Sequence, residues 1–203
     1  PEKAGNEYWD NLPDFFKKDN EARKRWKIRF SNPKLYQKMV RKYHTLVHGI
    51  DVEVGRIRKK LEQINAAENT IIIYTSDNGF YLGEHGLAGK WYPHKESIRI
   101  PLIIYDPRLK NSQKGTKRQQ RALNIDLAPT MLNYAGIAAP EEMQGKSLLP
   151  AISNNKMELR RDFFYEHLLD HHSIPKNEGV IGKRYKYIRW ITQEPVYETL
   201  WDL

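Results

Sequence analysis

The sequence predicts an α/β protein: part of a mainly parallel, helix-covered sheet over residues 1–155, then a small antiparallel β subdomain over residues 156–203. Three observations carry this. Residues 71–75 and 101–105 are short runs that are apolar on both faces, as strands covered on both sides are. Helical patterns alternate with them, which is the signature of α/β architecture. Past about residue 155 the pattern changes to short, aromatic, turn-separated segments typical of antiparallel strands.

In chain order, residues 1–32 read as irregular, anchored by Tyr8, Trp9, Phe15, Phe16 and Trp26. Ser31-Asn32-Pro33 reads as a helix entry with proline in the first turn. Met39, Tyr43, Val47, Ile50, Val54, Ile57, Leu61 and Ile64 then recur at steps of three and four. That spacing predicts one amphipathic helix of about 30 residues, or two joined near Gly49. Residues 71–75 read as a central strand, and residues 101–105 as a second, closed by Asp106-Pro107. A polar, basic loop follows over residues 107–119, then a helix from a capping Asp126 to a glycine stop at Gly136. Residues 163–168, 180–181, 185–190 and 196–200 read as the antiparallel strands.

The 203 residues have a mean hydropathy of −0.76, no apolar run long enough to span a membrane, and no cysteine. Disulfides and thiolate metal sites are thereby excluded. The chain opens on Pro1 rather than a methionine and reads as a fragment. Its net charge of +9 is local: residues 17–42 hold 11 Lys/Arg against Asp19 and Glu21, and the remainder balances. Such a patch either draws in a polyanion or is a solvated helix face.

The chemistry concentrates at residues 71–90, where a strand runs into Asp77-Asn78-Gly79 and a Gly-rich loop carrying Glu84, His85 and Lys90. In open α/β sheets ligands sit beyond the carboxyl ends of strands. Asp77 and Asn78 offer hard oxygen donors suited to Ca²⁺ or Mg²⁺, although Asp-Asn-Gly is also favoured turn chemistry. His85 can exchange a proton with a bound ester, and Lys90 supplies a compact charge for an anion. His44 and His48 have zinc-compatible spacing but no third ligand, so a structural role is expected of them.

Thr75-Ser-Asp77-Asn78-Gly, Leu82-Gly-Glu-His85-Gly and Gly89-Lys90-Trp, in that order, closely resemble the second half of the sulfatase family of the alkaline-phosphatase-like superfamily. Glu96-Ser97-Ile98-Arg99-Ile100-Pro101, Asn124-Ile-Asp126-Leu-Ala-Pro129 and the terminal Tyr197-Glu-Thr-Leu-Trp201-Asp202-Leu203 extend the resemblance. It implies that Asp77 and Asn78 bind calcium (or magnesium), that Lys90 contacts a sulfate oxygen, and that His85 lies beside it or protonates the leaving group. It further implies substrate contacts from His94 and, from the subdomain, His167. Family members often carry histidine where this chain has Asn78.

The family's nucleophile is a formylglycine made from Cys or Ser in a Cys/Ser-x-Pro-x-Arg motif. Ser31-Asn32-Pro33-Lys34-Leu35 lacks the arginine, so the nucleophile is expected in an N-terminal part of the catalytic domain that this chain lacks. The isolated chain is accordingly expected to be inactive. The implied partner is a sulfated carbohydrate or other sulfate ester, with no nucleic acid and no membrane span, in a periplasmic, extracellular or lysosomal setting. Two rivals remain: a phosphodiesterase or phosphonate hydrolase of the same superfamily, and a polyanion-binding module acting through residues 17–42.

Overall fold

The computed structural model describes residues 2–203. Residues 2–29 form three helices where the sequence suggested irregular chain: α1 (Glu2–Asp10), α2 (Asp14–Lys17) and α3 (Glu21–Arg29). The helices are short because Asn11, Pro13 and Asn20 interrupt them, and that hides any periodicity. Asn20 caps α3 by accepting from the Arg23 N–H at 3.0 Å. The expected aromatic anchors do anchor: Phe16 and Trp26 are buried, with Trp9 and Phe15 packed alongside Phe16.

α4 (Pro33–Gln63) is one unbroken helix of 31 residues, entered through an Asn32 cap on the Leu35 N–H at 3.0 Å. Gly49 does not divide it. It ends where Asn65 takes a left-handed φ of 55°, a conformation asparagine tolerates. Tyr36 and Met39 pack against Trp26, Phe30 and Ala88, and Tyr43 stacks on Phe80. Further along the same stripe, Val47, Ile50 and Ile57 stay exposed.

The expectation of a mainly parallel sheet is corrected by the pairing. β1 (Ile72–Thr75) and the strand at Leu102–Tyr105 run antiparallel, Ile72 opposite Tyr105 and Thr75 opposite Leu102. The physical reason lies in the connection, which returns to the end it left: Thr75 Oγ1 donates to the Pro101 carbonyl at 2.9 Å. That connection contains β2 (Tyr81–Leu82), β3 (Ala88–Gly89) and α5 (Lys95–Ile98), so the returning strand is β4. No parallel pair occurs among the described residues. Apolar content on both faces signalled a strand, but it carries no information on direction.

α6 (Leu127–Tyr134) stops at Gly136, whose φ is 73°, as expected of a left-handed helix stop. α7 (Leu149–Ser153) follows. Asp126 was expected to cap α6, but its side chain makes no cap hydrogen bond to that helix. It accepts from the Leu123 and Lys146 N–H groups, both at 2.8 Å, and from both Arg160 terminal nitrogens at 2.6 Å.

The C-terminal region is the expected antiparallel sheet, a four-stranded meander of β5 (Phe163–His167), β6 (Asn177–Ile181), β7 (Tyr185–Trp190) and β8 (Tyr197–Asp202). Ile188 and Trp190 of β7, with Ile174 from the β5–β6 connection, share one core with Phe16, Ala22, Tyr81, Leu87, Trp91 and Tyr92. The Gly-rich loop is therefore held between the N-terminal helices and this sheet. That position fixes the site.

Candidate functional site

The site begins where β1 ends. Asp77 is exposed and Asn78 half-buried. The Asn78 N–H donates to Asp77 Oδ1 at 2.9 Å, and Ser76 Oγ donates to the Asn78 carbonyl at 3.0 Å. Asn124, just before α6, donates to the Asp77 carbonyl at 3.0 Å. Gly79 then dives under α5, its N–H bonding the Ser97 carbonyl at 2.8 Å. A Cβ there would meet the Glu96 carbonyl oxygen at 2.1 Å, so only glycine fits.

The β2–β3 hairpin pairs Tyr81 with Gly89 and so returns Lys90 to the head of the loop. Lys90 Nζ donates to Asn78 Oδ1 and lies 3.6 Å from Asp77 Oδ2. Slight desolvation of the Asp77 carboxyl would raise its pKa. The Asn78 N–H and the Lys90 charge outweigh that and hold it below the ordinary carboxylate value. His167, at the end of β5, is near enough for Lys90 to act on it: burial, aided by that charge, lowers its pKa. Its buried Nδ1 has no hydrogen-bond partner. Asp77, Asn78 and Lys90 thus converge.

The other two predicted residues form a neighbouring group. His85 has a left-handed φ of 58°. Its Nε2 lies 3.1 Å from Glu96 Oε2, and its ring stacks on His94 with centroids 4.4 Å apart. Burial alone would raise the Glu96 pKa; its own N–H and His85 outweigh burial and lower it. Gly86 must be glycine, since a Cβ would sit 2.4 Å from the Gly5 carbonyl oxygen.

His94 lies in the core, 7% exposed, with Nε2 2.7 Å from the Tyr8 hydroxyl and Nδ1 2.6 Å from the Tyr81 hydroxyl. A neutral imidazole has one N–H and one lone pair, so one tyrosine accepts and the other donates. Neither nitrogen is free to meet a substrate in this structure. Burial also drives the Tyr8 hydroxyl up to about 12. Tyr8, Tyr81 and Asn124 were not singled out as site residues in the sequence. Glu96 stood in a recognisable segment, but nothing local pointed it at His85.

Burial first, and then the charges of His85 and Lys186, hold the His94 pKa well below its ordinary value of 6.5. Once unfolded the ring takes a proton below about pH 6.5, which the folded protein refuses. The contribution is therefore complete above that pH and is lost as pH falls. Urea unfolding is expected to show a loss of about 1 kcal/mol or more between pH 7.5 and pH 5.5. In His94→Gln that pH dependence should flatten over the same window; an identical dependence in both proteins would contradict the assignment.

Comparisons with known proteins identify the family. The Sulfatase family model matches residues 2–137, and the model described as N-sulphoglucosamine sulphohydrolase, C-terminal, matches residues 83–203. The chain is 37% identical over 161 residues to an N-acetylglucosamine-6-O-sulfatase of Bacteroides thetaiotaomicron, covering 76% of this chain and 28% of that protein. It is 32% identical over 171 residues to arylsulfatase K of Canis lupus familiaris, covering 79% and 31%.

A solved structure in complex with its substrate D-glucosamine-2-N,6-O-disulfate superposes with a TM-score of 0.75 at 34% identity, covering 83% of this chain and 34% of that one. A phosphonate monoester hydrolase of Silicibacter pomeroyi, at 23% identity and a TM-score of 0.73 over 85% of this chain and 36% of that one, shares the fold. The chain spans about a third or less of the length of the curated relatives named here. With two family models each covering more than half of it, the chain belongs to the sulfatase family.

Proposed function

We propose that the complete protein hydrolyses sulfate esters of a sulfated carbohydrate, with this chain supplying part of the cation and sulfate site. The observation that carries the reading is the convergence of the Asp77 carboxylate, the Asn78 amide oxygen and the Lys90 ammonium at the end of β1. Two hard oxygens already directed at one positive charge suit a divalent cation, calcium or magnesium. No group of three or more His, Cys, Asp or Glu side chains is placed to hold a metal among the described residues. Asp77 and Asn78 would therefore hold the ion together with donors from elsewhere in the complete protein. When bound, such an ion polarises the ester oxygens as a Lewis acid.

This chain's own residues then divide the remaining work. Lys90 places a fixed charge against a sulfate oxygen, where negative charge grows in the transition state. His167 is the substrate contact from the C-terminal sheet. His85 hands a proton to the departing alcohol, and the Glu96 carboxylate at its Nε2 orients the ring, leaving Nδ1 as the donor atom. The attacking group, a formylglycine in the family, would come from outside this chain. His94, clamped by two tyrosines, provides the wall on which His85 stacks.

Sulfated glucosamine is the favoured substrate class, on the names of the similar enzyme and of the similar structure's ligand. The setting we favour is outside the cytosol, as for the relative named an extracellular sulfatase in Drosophila melanogaster. No helix of the described residues is long and apolar enough to cross a membrane. The intact protein is expected to release sulfate from a sulfated glucosamine with a kcat/KM at least ~10-fold above that for a phosphonate monoester of similar size. A preference for the phosphonate would transfer the site to the rival chemistry.

A further inference from the structure

We propose that the outer face of α4 is a second binding site, taking a chain of sulfated polysaccharide away from the ester-cleaving centre. Successive residues of an α-helix turn by about 100°. Tyr36, Met39 and Tyr43, which touch the body of the protein, therefore define one side of α4. Lys34, Lys38, Arg41, Arg56 and Lys59 fall within a narrow arc on the opposite side, and all five are exposed. The three acidic residues of the helix, Asp51, Glu53 and Glu62, lie outside that arc.

Only Arg56 has an ion-pair partner among the described residues, Glu53 at 2.7 Å. Four of the basic residues that precede α4 are already occupied. Arg23 packs against Trp9 and Trp26 and donates to the Gly86 carbonyl and Asn6. Arg25 pairs with Glu21, Lys24 with Asp19 and Lys17 with Asp14. Of the eleven basic residues in 17–42, Lys34, Lys38 and Arg41 stand on the outer α4 face, and Arg56 and Lys59 extend that face beyond the stretch. At 1.5 Å per residue, Lys34 to Lys59 spans about 38 Å, with the two basic clusters about 22 Å apart.

A ridge of that length, charged at both ends and without Phe, Tyr or Trp, suits an extended linear polyanion. Single-stranded nucleic acid would call for rings on which bases stack, and Thr45, His48 and Val52 are what this arc carries between its clusters. A membrane surface would call for a row of apolar side chains beside the charges, and Val52 stands alone there. The choice of a sulfated polysaccharide rests on the sulfate-ester function proposed above; the ridge itself does not. Tethering the polymer here would raise the local concentration of its sulfate groups at the cleaving site.

The test uses the intact protein and heparin as probe, with chemically desulfated heparin and duplex DNA as competitors. A triple charge reversal, K34E/K38E/R41E, is expected to weaken heparin binding by ~10-fold or more and to flatten its salt dependence. R56E/K59E should give a smaller loss in the same direction. Because all five side chains are exposed, the melting temperature should not move. Turnover of a small aryl sulfate should be unchanged, while KM for a polymeric substrate rises and kcat holds.

Unaltered heparin affinity in both variants would overturn the proposal. So would duplex DNA binding the ridge as tightly as heparin. Heparin binding that these variants abolish, in a protein that hydrolyses no sulfate ester, would sustain the ridge and count against the proposed function alone.

Discussion

Lys90→Ala in the intact enzyme is expected to lose about a hundredfold in turnover of a small aryl sulfate, or roughly 3 kcal/mol of transition-state stabilisation. The β2–β3 hairpin, which pairs Tyr81 with Gly89, fixes the backbone beside Lys90 before substrate arrives. A small substrate makes few other contacts that could compensate. Lys90→Arg should recover little, because a planar guanidinium cannot occupy the position of a compact ammonium beside Asn78. Steady-state kinetics on the variants checks this. Turnover near that of the parent protein would remove Lys90 from the reacting site.

Arg160→Met is expected to cost about 3–5 kcal/mol of stability, because it strands a carboxylate in the interior. Asp126 is fully buried, and the Arg160 guanidinium that meets it is 9% exposed. Replacing the arginine leaves Asp126 two backbone donors and no compensating charge. For a protein of this size the melting temperature should fall by roughly 10 °C. The double variant Asp126→Asn with Arg160→Met should recover part of the loss, since the stranded charge is then gone. A loss below about 1 kcal/mol in the single variant would show that water or a rearranged neighbour reaches Asp126. The pair also bears on the site: Asp126 fixes the turn carrying Asn124, which in turn braces the Asp77 carbonyl.

Much of this was legible in the residues. The period of Met39 through Ile64 made a helix readable but not whether Gly49 divides it, and its entry signal at Asn32-Pro33 is a cap in the structure. The aromatic segments after residue 155 became β5 to β8 because alternation and turn residues act locally. Asp77, Asn78 and Lys90 were readable together since a short hairpin is all that separates them.

What escaped depends on distant partners. The N-terminal helices are too short and too polar for periodicity to show, and their stability comes from Phe16 and Trp26 entering cores built mostly by later residues. Strand direction is set by where a loop returns, which the apolar runs at residues 71–75 and 101–105 do not encode. His94 was expected to contact substrate; its partners Tyr8 and Tyr81 lie 86 and 13 residues away. The charge of residues 17–42 was visible as a sum, but only the helix geometry shows which part of it faces outward.

The central claim is that Asp77, Asn78 and Lys90 form one cradle for a divalent cation and an ester anion. Elemental analysis of the intact protein, beside Asp77→Ala, tests it most directly. The account predicts about one equivalent of calcium or magnesium in the parent protein and a clear loss in the variant, with the fold retained because Asp77 is exposed. Unchanged metal content in Asp77→Ala would contradict it.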